Sequence, residues 1–267
     1  MAQKIMEINA TNLPDAWFQT VYAMIEHGRN FTVDRGSFEG QQRREFDYAI
    51  IHIKVPGVGE LLPKLNPVWP LPDPVAAEYL DDYLPYIMTG EEKVGESYTY
   101  GQRICKAPFD FINKTDENLH VRGNFYHDRD IIIRQSNNEY FLNQMGMMIW
   151  TYKNKGHRNN QMVLQVGQPT DMLLKDPPCL RHIDTRIQDG KLHFYPYFRS
   201  WDLWGGFPAN LAAIELMKQY CAAEIGVENG EIIATSKGLH LYDYVWELAE
   251  ILRTRTMDEF RKELILN

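Results

Sequence analysis

Three side chains in the second half of the chain have the types and spacing for nucleophilic chemistry on an electron-poor ring. Cys179 follows two prolines that fix the backbone, Arg199 ends the strand pattern that comes next, and Asn210 opens a predicted helix. A thiolate is a strong nucleophile, and a nearby guanidinium is expected to lower the pKa of the thiol. Since an amide both donates and accepts hydrogen bonds, the set predicts covalent chemistry on a pyrimidine.

The pyrimidine chemistry follows from the electronic structure of uracil. Its C5 carbon is a poor nucleophile, but addition of a thiolate to C6 turns the ring into an enolate, and C5 then attacks a one-carbon electrophile. The enolate oxygen needs a donor at O4 and N3–H needs an acceptor, so the amide of Asn210 fits uracil. A carboxylate at that position would favour cytosine, whose amino group donates.

Each of these residues also has a common structural role. A cysteine after two prolines is often structural, an arginine such as Arg199 often forms a surface ion pair, and Asn210 could cap a helix. The combination of all three in one strand-turn-helix unit favours the catalytic interpretation.

Composition narrows the class of protein. The chain has 267 residues, 44% of them apolar, which predicts a single packed domain over 1–267. A formal net charge of −8 argues against nucleic acid as a partner.

The sequence also bears on the cellular compartment. We find no apolar run of membrane length and no signal peptide, and the three cysteines are too sparse for a disulfide framework. We therefore expect a cytoplasmic protein without a membrane span. The histidines show no metal-ligand spacing, so no metal is predicted.

The first half of the chain predicts a helix over 11–27 and a strand over 46–55. Six prolines make 56–74 an extended connection, and a helix near 75–88 follows it. Residues 95–103 are predicted to be a polar, aromatic loop.

The second half predicts a helix over 136–154 and a hairpin whose Asp189-Gly190 turn joins two strands. Pro196 is expected to interrupt the second strand with a bulge or to place it at a sheet edge. A helix is predicted from Pro208 to Ile225, with Asn210 and Cys221 on its buried stripe. The remaining predicted elements are a strand over 162–166, the hairpin strands over 181–187 and 191–199, and a last helix over about 243–255.

Five motifs in this region resemble the thymidylate synthase family in order and in approximate spacing. They are Pro177-Pro178-Cys179, Asp189-Gly190-Lys191-Leu192, Arg199-Ser200-x-Asp202, Gly206-x-Pro208-x-Asn210 and His240-x-Tyr242. The similarity is strong over about 160–245, and the residues in these motifs most resemble those of the divergent archaeal-type branch of the family.

The resemblance implies an α/β (α+β) fold: a large twisted mixed sheet flanked by helices, with one sheet face forming a homodimer. It implies transfer of a one-carbon unit to C5 of dUMP, giving dTMP. The donor would be 5,10-methylenetetrahydrofolate or methylene-tetrahydromethanopterin, and the other partner a nucleotide monophosphate.

The resemblance also implies residue roles. Cys179 would be the nucleophile, Tyr100 would help to remove the C5 proton, and Asp202 would organise the pyrimidine and folate side. The implied substrate-binding residues are Arg35, Arg158, Arg199 and Ser200 for the phosphate, Asn210 for the base, and His240 and Tyr242 for the sugar 3′-hydroxyl. Gly206, in the same motif as Asn210, is a further implied substrate-binding residue.

Some positions depart from the family pattern, and they keep alternatives open. Leu180 replaces a histidine, Arg158 stands where the family has paired arginines, and the tail over 257–267 does not match. The glutamate that acts on O4 has no clear match; the acids nearest to its place are Glu78, Asp81 and Asp82. If water reached C5, the product would be hydroxymethylated, so a hydroxymethylase for dUMP, dCMP or CMP is the first alternative. A non-catalytic nucleotide-binding protein is the second.

Overall fold

The protein is built on a six-stranded mixed sheet. The computed structural model describes residues 2–34, 38–65, 71–92, 94–108, 131–134, 139–254 and 259. From one edge to the other, the strands are β1 (Ile5–Ala10), β4 (Tyr48–Ile53), β12 (Glu228–Ser236), β10 (Lys191–Phe198), β9 (Leu180–Gln188) and β8 (Val163–Gln165). The pairs β1/β4 and β10/β12 are parallel and the other neighbours are antiparallel, which confirms the predicted mixed sheet.

Two smaller sheets flank this one. The first contains, in spatial order, β11 (Trp201–Asp202), β13 (Leu239–Tyr242), β3 (Gln42–Glu45) and β2 (Arg29–Thr32). The second contains β5 (Ala107–Pro108), β7 (Tyr140–Leu142) and β6 (Ile132–Arg134).

The helices surround the sheets. They are α1 (Leu13–His27), α2 (Tyr79–Met88), α3 (Tyr100–Cys105), α4 (Gln144–Lys155), α5 (Gly206–Ile225) and α6 (Trp246–Arg253). Short 3₁₀ turns span Pro169–Leu173 and Asp243–Val245. None of the helices in the described ranges has the length and apolarity needed to cross a membrane.

The longest helix, α5, lies against the buried face of the large sheet. Ile214, Met217 and Cys221 on its inner stripe are fully buried, as the sequence predicts. Gly226 ends the helix with φ of 86°, a left-handed conformation that glycine adopts at little cost. At its other end the helix starts directly beside β11, whose Asp202 carboxylate accepts from the backbone N–H groups of Gly205 and Gly206.

The predicted hairpin is confirmed, and of the two alternatives predicted at Pro196 the structure has a register shift beside it and no sheet edge. Asp189 and Gly190 both have positive φ, at 52° and 75°, as a tight two-residue turn requires. Pro196 lies in the central strand β10, opposite Ile183. The register shifts beside Pro196, at Tyr197/Phe198 against β9, and again between Leu192 and Phe194 against β12.

Two further sequence predictions need correction. The stretch 95–103 is not a loop throughout, because α3 begins at Tyr100, where the Thr99 hydroxyl caps it by accepting a hydrogen bond from the Gln102 amide. In the predicted helix over 136–154, residues Tyr140–Leu142 form a strand before α4 begins. The propensity of the individual residues did not reveal either boundary.

Candidate active site

Cys179 lies immediately before β9, where two strands and α3 meet. Its carbonyl accepts a hydrogen bond from the Arg199 backbone N–H at 2.9 Å, which ties it to the end of β10. The next amide, of Leu180, donates to the Tyr100 hydroxyl at 3.3 Å. The thiol is free and half-buried, so backbone contacts on both sides fix its position.

Arg199 reaches around the Pro-Pro turn beside this thiol. Its Nε donates to the Pro178 carbonyl at 3.2 Å and its Nη2 to the Pro177 carbonyl at 2.5 Å. The guanidinium also lies 3.5 Å from the Asp176 carboxylate. The side chain therefore brings a fixed positive charge to the cysteine loop.

Arg199 lowers the pKa of Cys179, as the sequence predicts, but the resulting pKa still lies above the ordinary value of a thiol. Burial raises the pKa of the Cys179 thiol, and this desolvation outweighs the opposing effect of Arg199. Asp176 raises the pKa further, whereas Arg181 lowers it. The resting thiol is therefore held mainly in its neutral form near pH 7.

This balance predicts how fast Cys179 reacts with iodoacetamide, which attacks thiolates. The labelling rate should rise with pH through a pKa above that of an unperturbed cysteine thiol. Removing the cation in Arg199→Gln should raise that pKa and slow labelling at pH 8 roughly threefold or more. The matched change Asp176→Asn removes the opposing charge and should speed labelling. Mass spectrometry of the labelled peptide measures each rate, and an unperturbed or lower pKa in the native chain would contradict the charge balance described here.

Five tyrosines lie on the side of Cys179 that faces α2 and α3. Tyr83 stacks on Tyr79 and on Tyr86 at ring-centroid distances of 5.7 and 5.4 Å, and Tyr86 meets the edge of Tyr100 at 5.4 Å. The Tyr98 hydroxyl donates to the Asp176 carbonyl at 3.2 Å. Burial raises the pKa of Tyr83, Tyr86 and Tyr100, and that of Tyr98 to about 12, so these hydroxyls stay protonated.

An open cavity of about 630 Å³ lies between α2 and α3. Its walls combine aromatic rings with exposed carboxylates. The lining residues are Tyr79, Asp81, Asp82, Tyr83, Pro85, Tyr86, Thr89, Glu91, Glu92, Glu96, Thr99 and Tyr100. A cavity of this volume with aromatic walls can accommodate a flat heterocycle. The exposed carboxylates at its opening remain hydrated.

The amide of Asn210 is held in one orientation. Its Oδ1 accepts from the Trp201 indole Nε1 at 2.9 Å, and its Nδ2 donates to the Tyr83 hydroxyl. Because an indole N–H only donates, it must face the amide oxygen, and this excludes the flipped amide. One N–H and one oxygen lone pair of Asn210 remain for a ligand.

Trp201 is itself rigid. It is buried, and its ring stacks on Phe198 at 4.0 Å and on Phe207 at 4.5 Å. Neither Trp201 nor Tyr83 is a predicted site residue. The sequence carries one signal for each of them. Trp201 occupies the variable position of the Arg199-Ser200-x-Asp202 motif, and Tyr83 belongs to a set of tyrosines that recur at helical spacing in α2.

Asp202 organises the turn that precedes α5. Its carboxylate accepts from the backbone N–H groups of Trp204 at 3.3 Å, Gly205 at 3.0 Å and Gly206 at 2.9 Å. A Cβ on Gly206 would lie only 3.3 Å from the Asp202 Cβ, which explains the small residue. The carboxylate thus supplies the N-terminal acceptors of the helix that carries Asn210.

His240 and Tyr242 lie on β13, and His240 is paired in register with Asp202 on β11. The His240 Nδ1 lies 2.8 Å from the Gly238 carbonyl, so this nitrogen carries the proton. Burial lowers the pKa of His240 to about 4, which keeps the ring neutral and leaves Nε2 as a bare acceptor. Among the described residues, that buried Nε2 has no hydrogen-bond partner. The Tyr242 ring meets His240 at 4.7 Å, and burial raises its pKa to about 12.

The structure thus brings together most of the predicted site residues, but not all of them. Ser200 is half-buried next to Arg199, where Gly238 packs so closely that a Cβ would lie 2.9 Å from the Arg199 carbonyl. Arg158 is exposed in the turn after α4. Arg35 and most of the tail over 257–267 lie outside the described residues.

The mixed sheet and its flanking helices agree with the thymidylate synthase fold, and the family model "Thymidylate synthase" matches residues 66–267. The chain therefore belongs to the thymidylate synthase family. That family acts on a nucleotide monophosphate and uses a folate-type co-substrate, so membership supports an enzyme of the methyltransferase type.

Relatives cover most of the chain. A Methanosarcina acetivorans protein named provisionally as a thymidylate synthase is 29% identical over 245 residues, covering 91% of this chain and 92% of its own. A Methanothermobacter thermautotrophicus protein with the same provisional name is 26% identical over 256 residues, covering 91% and 96%. The Listeria monocytogenes thymidylate synthase is 31% identical over 105 residues, covering 39% of this chain and 33% of its own.

Proposed function

We propose that the protein transfers a one-carbon unit from a methylene-tetrahydropterin to C5 of dUMP, giving dTMP. The observation that carries this proposal is the locked amide of Asn210. Its free N–H can donate to O4 of uracil, and its oxygen can accept from N3–H. Cytosine presents the opposite pattern at these two positions, and the Trp201 indole prevents the amide from turning to match it.

The chemistry begins at Cys179. The thiolate adds to C6, the electrons move to O4, and the enolate then attacks the methylene carbon of the carrier from C5. Loss of the C5 proton then expels the carrier by cleavage of its C–N bond and leaves an exocyclic methylene on C5. Hydride from the reduced pterin adds to this methylene, and cleavage of the C6–S bond restores the ring double bond and releases the thiolate of Cys179. Tyr100 is suited to relay this proton to water, because its hydroxyl accepts a hydrogen bond from the Leu180 amide beside the cysteine. Since burial keeps that hydroxyl neutral, it can accept the C5 proton only as it passes its own proton on.

Substrate binding is distributed over the surrounding elements. Arg199, with Ser200 beside it, holds the phosphate, and Arg35 and Arg158 add to this in the assembled enzyme. Asp202 and Gly206 build the turn beneath the base, while His240 and Tyr242 contact the sugar. The cavity between α2 and α3 receives the pterin ring of methylenetetrahydrofolate or of methylene-tetrahydromethanopterin.

A hydroxymethylase is the second candidate, and the open cavity favours it. The carboxylates Glu91, Glu92 and Glu96 at this cavity are exposed, so water can approach the one-carbon unit. Water in place of hydride would leave a hydroxymethyl group on C5.

Incubation of the protein with dUMP and either carrier separates the candidates. The expected product by mass spectrometry is dTMP. A product that carries one more oxygen would reject methylation, and turnover of dCMP or CMP in preference to dUMP would reject the uracil assignment. Specific nucleotide binding without any turnover would leave the non-catalytic alternative.

We also propose that the protein forms a homodimer through the face of the large sheet that points away from α5. This face carries half-buried apolar and aromatic side chains in the single chain. They are Tyr48, Ile50, Tyr195, Tyr197 and Ile233. Such a patch is typical of a subunit interface.

Light scattering tests the dimer. The native chain, of 31.3 kDa, should elute at about twice that mass. Ile233→Asp should shift it to the monomer, since burying a carboxylate in this interface is unfavourable. The control Val58→Asp, on an exposed loop outside the sheet, should leave the mass unchanged. A monomeric native chain would contradict the proposal.

A further inference from the structure

Arg43 lies on the same sheet face as the His240-x-Tyr242 pair. In the antiparallel register of β3 and β13, Arg43 is opposite Tyr242 and Glu45 is opposite His240. Residues two apart on a strand share one face, so all four side chains are neighbours. On the far side of His240, its parallel partner is Asp202, which connects this face to the turn before α5.

The guanidinium of Arg43 is fixed in this position. Its Nη2 lies 2.7 Å from the Glu45 Oε2, and both side chains are largely buried. Burial raises the pKa of Glu45, while Arg43 and Lys237 lower it. The positive charge of Arg43 also lowers the pKa values of His240 and Tyr242, which is consistent with its closeness to both rings.

Among the described residues, three buried polar atoms on this face have no hydrogen-bond partner; one of them, the Glu45 Oε2, has the ion-pair contact with Arg43 instead. Within the described part of the chain, neither the Arg43 Nε nor the His240 Nε2 has a hydrogen-bond partner. Buried polar atoms in native proteins rarely stay unpaired, so an orphaned pair points to a missing ligand. The Arg43 Nε–H is a donor and the His240 Nε2 is an acceptor, which is the pair of partners that a single hydroxyl requires.

We propose that Arg43 binds the sugar of the nucleotide by donating a hydrogen bond to its 3′-hydroxyl, while the hydroxyl donates to His240. This inference rests on the proposed function, because it assumes a deoxynucleotide in this site. Glu45 acts as a positioning residue that holds the guanidinium of Arg43. The Phe38 ring lies 4.7 Å from the Tyr242 ring and packs beside it.

A double-mutant cycle between protein and ligand tests the contact. Affinities are measured by calorimetry for dUMP and for 2′,3′-dideoxyuridine monophosphate, on the native chain and on Arg43→Met. The native chain should prefer dUMP by roughly 10- to 100-fold, which is the range expected for a hydrogen bond to a charged donor. Arg43→Met should lose most of that preference and bind the dideoxynucleotide as the native chain does.

The adjacent arginine provides a matched control. Arg44 lies on the opposite face of β3, where it contacts the Ile25 carbonyl, Glu250 and the Trp246 ring. Folded Arg44→Met, verified by its melting curve, should keep the native preference for dUMP.

The outcomes separate this inference from the proposed function. If Arg43→Met weakens both nucleotides equally, the guanidinium contacts the phosphate or supports the fold, and the 3′-hydroxyl contact is wrong. If it weakens neither, the inference also fails. By contrast, a native chain that binds dUMP with the predicted preference but forms no dTMP would overturn only the proposed function.

Discussion

Replacing Cys179 with serine is expected to abolish product formation, with a loss of at least about 10³-fold in kcat. A serine hydroxyl is far more basic than a thiol, and the surroundings of Cys179 already raise the pKa of the group at this position. Since Arg199 does not overcome the desolvation of the thiol, it cannot ionise a hydroxyl. Acid-quenched reactions of the native chain should also contain protein heavier by the mass of the nucleotide, and the variant should show none.

A second cysteine provides the control for this experiment. Cys105 is buried in α3, where its thiol donates to the Met88 carbonyl at 3.2 Å and burial raises its pKa to about 11. A serine can make the same hydrogen bond, so Cys105→Ser should keep both activity and adduct. If Cys179→Ser retained turnover, or if the adduct mapped to another residue, the covalent mechanism would be wrong. Unchanged dUMP affinity in Cys179→Ser would show that the binding site remains intact.

The sequence was sufficient for the fold class and for the order of the main elements. The Asp189-Gly190 turn requires two residues with positive φ, and the stripe of Ile214, Met217 and Cys221 requires a helix against a core. These signals are local or periodic, so one sequence carries them. The start of α3 at Tyr100 depends on a single capping hydroxyl within a polar stretch, which periodicity does not detect.

The electrostatics of the site could not be predicted in the same way. The spacing of Cys179 and Arg199 indicated a contact, but the pKa of the thiol depends on how much water the tyrosines of α2 and α3 exclude. Those tyrosines are about 80 to 100 residues away along the chain, and only the packed structure brings them together. Likewise, the hydrogen bond from Trp201 to Asn210 depends on how β11 meets α5.

That hydrogen bond leads to the second large effect, on base selectivity. Trp201→Phe should reduce the preference for dUMP over dCMP, measured as the ratio of kcat/KM values, by roughly 10- to 100-fold. The phenyl ring can keep the stack between Phe198 and Phe207, but it has no N–H to fix the Asn210 oxygen. The amide is then able to turn and to offer its oxygen to the amino group of cytosine and its N–H to N3.

The distinguishing result is a change in selectivity, because loss of fold stability would lower both kcat/KM values together. Tyr83→Phe is the matched control: it removes the partner of the Asn210 Nδ2 but leaves the indole that excludes the flipped amide. It should therefore keep the preference for dUMP. Asn210→Asp should favour dCMP outright, since a carboxylate accepts from the cytosine amino group. If Trp201→Phe kept the native ratio, another group would have to orient the amide, and the uracil assignment would lose its structural basis.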